Sequence, residues 1–230
     1  MDNSRVLIGN ATHFDRIHLN IEFDKEADRI AGFFEYASRI SEWGCSSGEL
    51  GLALKRKGVG WYGFEEREPL RKLSVEKHGA DTVGRSLCDA GAGSITHLVS
   101  WFAPFARVSP EDLNGTAMTL SDALSVGGCA LVEDWYRPDE ARAGWALMDT
   151  YDGEDFKLSR CAVTKIEGIR ATFPFFWLAA KMGEEPEGFQ EEAVLWLHSE
   201  KSLTDAFDQA CLRHQSVSID GLRCWKLTKV

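Results

Sequence analysis

One stretch, residues 39–65, limits the folds open to this chain more than any other: RISEWGCSSGELGLALKRKGVGWYGFE. A short apolar run over 40–43 predicts a strand, followed by a loop of small residues over 44–48 (Gly44, Cys45, Ser46, Ser47, Gly48). An amphipathic helical pattern comes next, and a second strand over 61–64 ends on the acid Glu65. A glycine-rich turn between a parallel strand and a helix lets the backbone approach a nucleotide-like ligand closely. An acid at the end of the following strand can accept hydrogen bonds from both ribose hydroxyls.

The loop reads acid-x-Gly-x-x-x-Gly, with Glu42, Gly44 and Gly48 at the fixed positions and Ser46 between the glycines. It has no third glycine to bring a pyrophosphate onto the helix N-terminus, which argues against a dinucleotide. The pattern resembles motif I of the class I S-adenosylmethionine (SAM) methyltransferases. That resemblance implies that Glu42, Gly44, Cys45, Ser46 and Gly48 meet the methionine part of SAM. It also implies that Glu65, with Glu66 beside it, grips the ribose. An ordinary tight turn in another α/β protein is the bland alternative.

Composition narrows the partners. A chain of 230 residues suffices for one sizeable α/β domain, and 44% hydrophobic with 27% charged residues is ordinary for a globular protein. A formal net charge of −10 disfavours a broad phosphate-binding surface, and with it nucleic acid as partner. The six cysteines (45, 88, 129, 161, 211, 224) form no CxxC pair, which predicts reduced thiols, a cytoplasmic setting and no metal site. The opening MDNSRVLIGN has no long apolar run and predicts no signal peptide. No stretch reaches the ~20 apolar residues of a membrane span; the longest, 171–180, is interrupted by Pro174.

Taken in order, the chain predicts a helix over 24–36 from the spacing of Ile30, Phe33, Phe34 and Ala37. The leader before it, with Phe14 and His18, reads equally as a lid over a cofactor or as a plain packing helix. A helix begins at Pro69, and a third strand over 82–87 ends near Asp89, the candidate for the adenine amino group. The fourth strand begins near Ser94 and ends at Ser100, Trp101 and Phe102, in the crevice where open α/β sheets bind ligands. His97, inside that strand, reads as a packed core residue. A helix over 110–124, a Val-Gly-Gly turn and a strand over 129–132 lead to Glu133, Asp134, Trp135 and Tyr136. From 138 to about 190 the pattern becomes β-rich, with Asp-Gly, Glu-Gly and Gly-Glu turns. A helix capped by Ser202 and two closing strands complete the chain. The expectation is one domain: lid and helix (1–38), cofactor core (39–135), β-rich roof (138–197), helix and hairpin (198–230).

Several segments together resemble the dTDP-amino-sugar N-methyltransferases of antibiotic biosynthesis over nearly the whole length. They are FDRIH with FDKEADRIAGFF, WGCSSGEL, GFEEREPL, VSWFAPF and, most specific, VGGCALVEDWYRPDEARAGW. The resemblance implies a Rossmann-like α/β sheet, mostly parallel with an antiparallel C-terminal hairpin, and an antiparallel β-rich extension over the active site. It implies SAM-dependent methyl transfer to a small-molecule acceptor, with Phe14, Ser100, Trp101, Phe102 and Asp89 among the cofactor contacts. Enzymes of this family are often homodimers. The chain departs from the family at His18 and Phe14, where aromatic hydroxyls are usual, at Ala123, where a histidine is usual, and at Asp134, where a proline is usual.

A free amine is already a nucleophile, whereas an alcohol acceptor needs a base. His18 is the candidate base because an imidazole titrates near neutrality. Glu133 and Asp134 join it as catalytic candidates that could also bind a cation, and Trp135, Tyr136 and Trp145 are candidate walls of the acceptor pocket. O-methylation of a hydroxylated metabolite and a non-catalytic protein that keeps the fold are the alternatives.

Overall fold

The structure is a computed structural model that describes residues 11–230. The opening decapeptide, on which the absence of a signal peptide was read, lies outside the described residues. The chain divides into two units, one of residues 11–21 with Tyr136–Leu197, the other of Glu22–Trp135 with His198–Val230. Helix α1 (Ala11–His18) falls in the first unit and helix α2 (Phe23–Phe33) in the second.

In the second unit, β1 (Arg39–Trp43), α3 (Glu49–Arg56), β2 (Gly60–Phe64), α4 (Glu68–His78) and β3 (Val83–Gly84) form two consecutive parallel strand–helix–strand crossovers. Strand β4 (Ile95–Ser100) lies on the other side of β1, and α5 (Leu113–Ala123) returns the chain to β5 (Leu124–Glu133), parallel to β4. Strands buried on both faces must be apolar at consecutive positions. Leu98 of β4 packs with Leu120 and Phe207 on one face, and Val99 packs with Ile30 and Leu54 on the other. Leu98 and Val99 are both fully buried. Such side chains each contribute about 1.5–3 kcal/mol relative to exposure.

The first unit holds a separate antiparallel sheet: β6 (Ala146–Asp152), β7 (Phe156–Val163), β8 (Lys165–Glu167), β9 (Arg170–Lys181) and β10 (Glu187–Trp196). Its order is β10-β9-β7-β6, with β8 on β9. Pro174 sits in β9 where pairing has passed from β7 (ending at Phe176) and not yet reached β8 (starting at Thr172), a place where no ladder donor is required on that side. Ile17 of α1 packs against Leu158, Trp177 and Ala179 of this sheet.

The second unit closes with α6 (Glu200–Gln209), β11 (Leu212–Ile219) and β12 (Leu222–Lys229). Strand β12 inserts antiparallel between β5 and β11, giving the order β3-β2-β1-β4-β5-β12-β11. Among the described residues no helix is long and apolar enough to cross a membrane.

Four local expectations need correction. The helix expected over 24–36 stops at Phe33, because Glu35 and Tyr36 turn into the left-handed region (φ 51° and 55°). The third strand is only Val83–Gly84. Gly127-Gly128 is an irregularity inside β5 rather than a turn before it: the register passes from Ile95 opposite Leu124 to His97 opposite Cys129. Gly127 has φ +75° there, and a Cβ on Gly128 would lie 2.8 Å from the Ile95 carbonyl. The cap of α6 is Ser199, whose hydroxyl accepts from the Ser202 amide at 3.1 Å.

Candidate functional site

The strand order changes direction between β1 and β4, so the carboxyl ends of β1, β2, β4 and β5 open onto one crevice, the usual ligand position in an open α/β sheet. Five of the expected elements converge there: Glu42, the 44–48 loop, Glu65, the Ser100–Phe102 segment and Glu133.

The loop is built by backbone requirements. Gly44 (φ +75°), Ser46 (φ 54°) and Gly48 (φ +87°) all take the left-handed region, and the amides of Gly44 and Cys45 both donate to the Phe64 carbonyl. A Cβ on Gly44 would meet nothing within 4 Å, so the loop is open on that side. A Cβ on Gly48 would stand 2.6 Å from His78 Nε2 and 2.7 Å from Ser74 Oγ. Gly48 is therefore required for packing on α4 as well as for its φ.

Two carboxylates lie under the loop with opposite electrostatics. Glu42 is buried and accepts a 2.8 Å hydrogen bond from Trp61 Nε1. Burial, reinforced by the charge of Glu65, pushes its carboxyl up to about 8. Glu65 is 2% exposed. Burial would raise its carboxyl too, but the charge and hydrogen bonds of Arg67, with the Ser46 amide, hold it below the usual range. Its Oε2 accepts from the Ser46 amide and Arg67 Nη2 (both 2.8 Å), and its Oε1 accepts from the Arg67 amide (2.9 Å) and Nε (2.7 Å). Glu66 is exposed and accepts from the Ser86 hydroxyl at 3.1 Å. Cys45 is buried, and desolvation lifts its thiol well above the ordinary range.

Across the switch point, Ser100 Oγ donates to the Trp43 carbonyl at 2.7 Å, tying β4 to β1. Trp101 is buried and its Nε1 donates to Glu26 Oε2 at 3.0 Å. Phe102 and Ala103 are both left-handed (φ 63° and 54°), and their consecutive amides donate to the Glu133 carboxylate. Left-handed non-glycine residues are costly and gather at functional sites. Burial still raises the Glu133 carboxyl above the usual range. Asp134 pairs with Arg223 Nε at 2.9 Å and accepts from the Trp135 amide. His198 donates from Nε2 to the carbonyls of Val108 (2.9 Å) and Phe105 (3.1 Å), fixing the turn that follows β4.

Several expectations are relocated. With β3 ending at Gly84, Asp89 is not at a strand terminus; its carboxylate accepts from the Ser86 amide in a capping box. Asp89 also lines a cleft of about 250 Å³ with Arg39, Tyr62, Ser94 and Thr96, toward the amino ends of β1 and β4 rather than the crevice. Ala123 is buried as the last residue of α5, beside the amino end of β5 and ten residues before Glu133, so a histidine lost there is not lost from the crevice. Phe14 and His18 lie on α1 in the first unit, 4.0 Å apart between ring centroids. His18 Nδ1 lies 2.6 Å from the Phe14 carbonyl. A carbonyl can only accept, so the neutral imidazole carries its lone pair on Nε2. Tyr136 and Trp145 also belong to the first unit and meet edge to face at 4.8 Å, whereas Trp135 belongs to the second. No cluster of three or more histidine, cysteine or acidic side chains able to hold a metal occurs among the described residues.

Sequence reasoning missed Arg67, Glu26 and Arg223, the partners that engage Glu65, Trp101 and Asp134. Arg67 stands two residues past the acid, in the turn between β2 and α4. The other two pairings are long-range and leave no local signal.

No protein-family model and no curated protein matches the chain. Solved structures do match it. DesVI of Streptomyces venezuelae aligns with a TM-score of 0.82 at 18% identity, over 96% of this chain and 98% of that one. The sugar N-methyltransferase KedS8 of Streptoalloteichus sp. ATCC 53650 aligns with a TM-score of 0.80 at 18% identity, over 94% and 91%. SAM-bound CalS10 of Micromonospora echinaspora, an amino pentose methyltransferase involved in calicheamicin biosynthesis, aligns with a TM-score of 0.77 at 17% identity, over 96% and 97%. These similarities establish the fold: a Rossmann-like methyltransferase sheet with a separate antiparallel sheet.

Proposed function

We propose that the protein is a SAM-dependent methyltransferase acting on a small polar metabolite, with the amine of an amino sugar from natural-product biosynthesis as the acceptor. The observation that carries this reading is the placement of the Gly44–Gly48 loop and of Glu65 at adjacent strand ends beside the switch point. That arrangement suits a nucleoside whose ribose meets an acid and whose tail runs over an open glycine. The fold shared with KedS8 and CalS10 supports the same acceptor class.

Bound SAM would supply an electrophilic methyl on a sulfonium. The chain's own residues then have three tasks: to grip the nucleoside, to hold the amine in line with the methyl, and to receive a proton. Glu42, Glu65 and the loop take the first. Glu133 and Asp134 are better suited to the second than to proton abstraction, because Glu133 already accepts two amides and Asp134 is ion-paired. Their charge favours a cationic amine nearby. His18 takes the third in this proposal, as the candidate base. Trp135, Tyr136 and Trp145 are assigned to the acceptor.

The test is incubation of the protein with SAM and a panel of amino sugars, read by mass. A gain of about 14 Da per methyl on an amino sugar is expected, and His18→Ala should slow turnover at least tenfold, the scale of general-base catalysis, while leaving SAM affinity unchanged. Methylation confined to hydroxyl acceptors would redirect the assignment to O-methyl transfer.

A further inference from the structure

The carboxylate assigned to the ribose has its acceptor capacity taken by the protein itself. A carboxylate offers about four lone-pair directions, and Glu65 uses them on the Ser46 amide, the Arg67 amide, and Nε and Nη2 of the Arg67 guanidinium. The two guanidinium bonds are parallel, one to each oxygen, the strong fork geometry for an arginine on a carboxylate. Ribose hydroxyls would approach those same two oxygens.

We infer that Arg67 competes with the ribose diol for Glu65, so that this ion pair sets how tightly the protein holds a nucleoside cofactor. The inference rests on the reading of Glu65 as the ribose acid. Three features make the exchange feasible. The backbone of the turn does not depend on the Arg67 side chain, because Arg71 Nη1 donates to the carbonyls of Glu65 (2.9 Å) and Glu66 (3.1 Å). Arg67 occupies the N-cap position of α4 without capping it by its side chain, so leaving costs the helix no hydrogen bond. Exposed Glu66, whose charge already acts on the guanidinium, stands ready to receive it.

Energetically, a forked ion pair must be given up before the diol can be gripped. Removing the arginine leaves a buried carboxylate without its cation, a state that the bound hydroxyls relieve. Losing the side-chain competitor should therefore tighten cofactor binding while lowering the stability of the unbound protein.

The experiment measures dissociation constants of S-adenosylhomocysteine for the full-length wild type, Arg67→Ser and Arg67→Lys, with melting temperatures taken with and without ligand. Arg67→Ser is expected to bind on the order of tenfold more tightly, to melt lower alone and to gain more from ligand. Arg67→Lys, which keeps the charge but loses the fork, is expected in between and provides the comparison if the serine variant folds poorly. Wild-type binding that is unchanged or weakened in both variants would overturn the competition. Absence of binding by the wild type and both variants would overturn the ribose assignment of Glu65, and the competition with it.

Discussion

Glu42 and Glu65 sit under one loop and titrate in opposite senses. Glu42 has its carboxyl pushed up to about 8 from an ordinary 4.5. Between those values the folded protein binds a proton that the unfolded chain does not, so Glu42 subtracts stability as pH rises through that window. Glu65 is held below the ordinary range, so its contribution is present above about pH 4.5 and is lost as pH falls through its folded value. Glu42→Gln keeps an acceptor for Trp61 Nε1 and removes the titration. Chemical denaturation from pH 5 to pH 8 should show the wild type losing stability relative to this variant, with the variant the more stable at pH 8. Parallel curves for the two proteins would show that Glu42 is ionised at neutral pH and that its burial is compensated in another way.

At the scale of elements, Gly48 joins the loop to the packing of α4. Gly48→Ala combines an unfavourable φ of +87° with a Cβ only 2.6 Å from His78 Nε2. The expected cost is about 2–4 kcal/mol of unfolding free energy, from left-handed strain plus overpacking. Gly44→Ala, with open space around its Cβ, should cost about 1–2 kcal/mol from φ alone. Equal destabilisation by the two substitutions would mean that the Gly48–His78 contact yields without penalty. Elements of this kind were largely legible in the sequence. Strands β1, β2 and β4 and the helices after them are long apolar or periodic segments bounded by glycine, and each formed close to where its pattern placed it. Strands β6 and β8 lie within the stretch read as β-rich but carry little signal of their own, because ALMDTYD and KIE are mostly exposed. The third strand was overextended because its pattern runs on into a 3-10 turn capped by Ser86. The positions of Glu42, Glu65 and Glu133 at strand ends were legible from the pattern of strands and turns. The partners Trp61 and Arg223 were not, since their pairings with Glu42 and Asp134 depend on which strands become neighbours.

At the scale of the whole molecule, the two units have different physical characters. The Glu22–Trp135 and His198–Val230 unit carries two large apolar clusters, one on each face of its sheet, and holds the crevice at the carboxyl ends of β1, β2, β4 and β5. The Tyr136–Leu197 unit has one small cluster and leaves Met148, Phe176 and Leu178 exposed on its sheet. The candidate base His18 and the aromatic pair Tyr136 and Trp145 belong to this second kind of surface, whereas all the assigned cofactor residues except Phe14 belong to the first. Cofactor binding is thus assigned almost wholly to residues of the larger unit and can be tested without an acceptor in hand. Isothermal titration calorimetry of the purified protein against SAM and S-adenosylhomocysteine is the most direct measurement. Saturable micromolar binding of both at one site per chain is expected, weakened by about 1–3 kcal/mol in Glu65→Ala. The absence of binding of either ligand would contradict the assignment of the crevice to SAM.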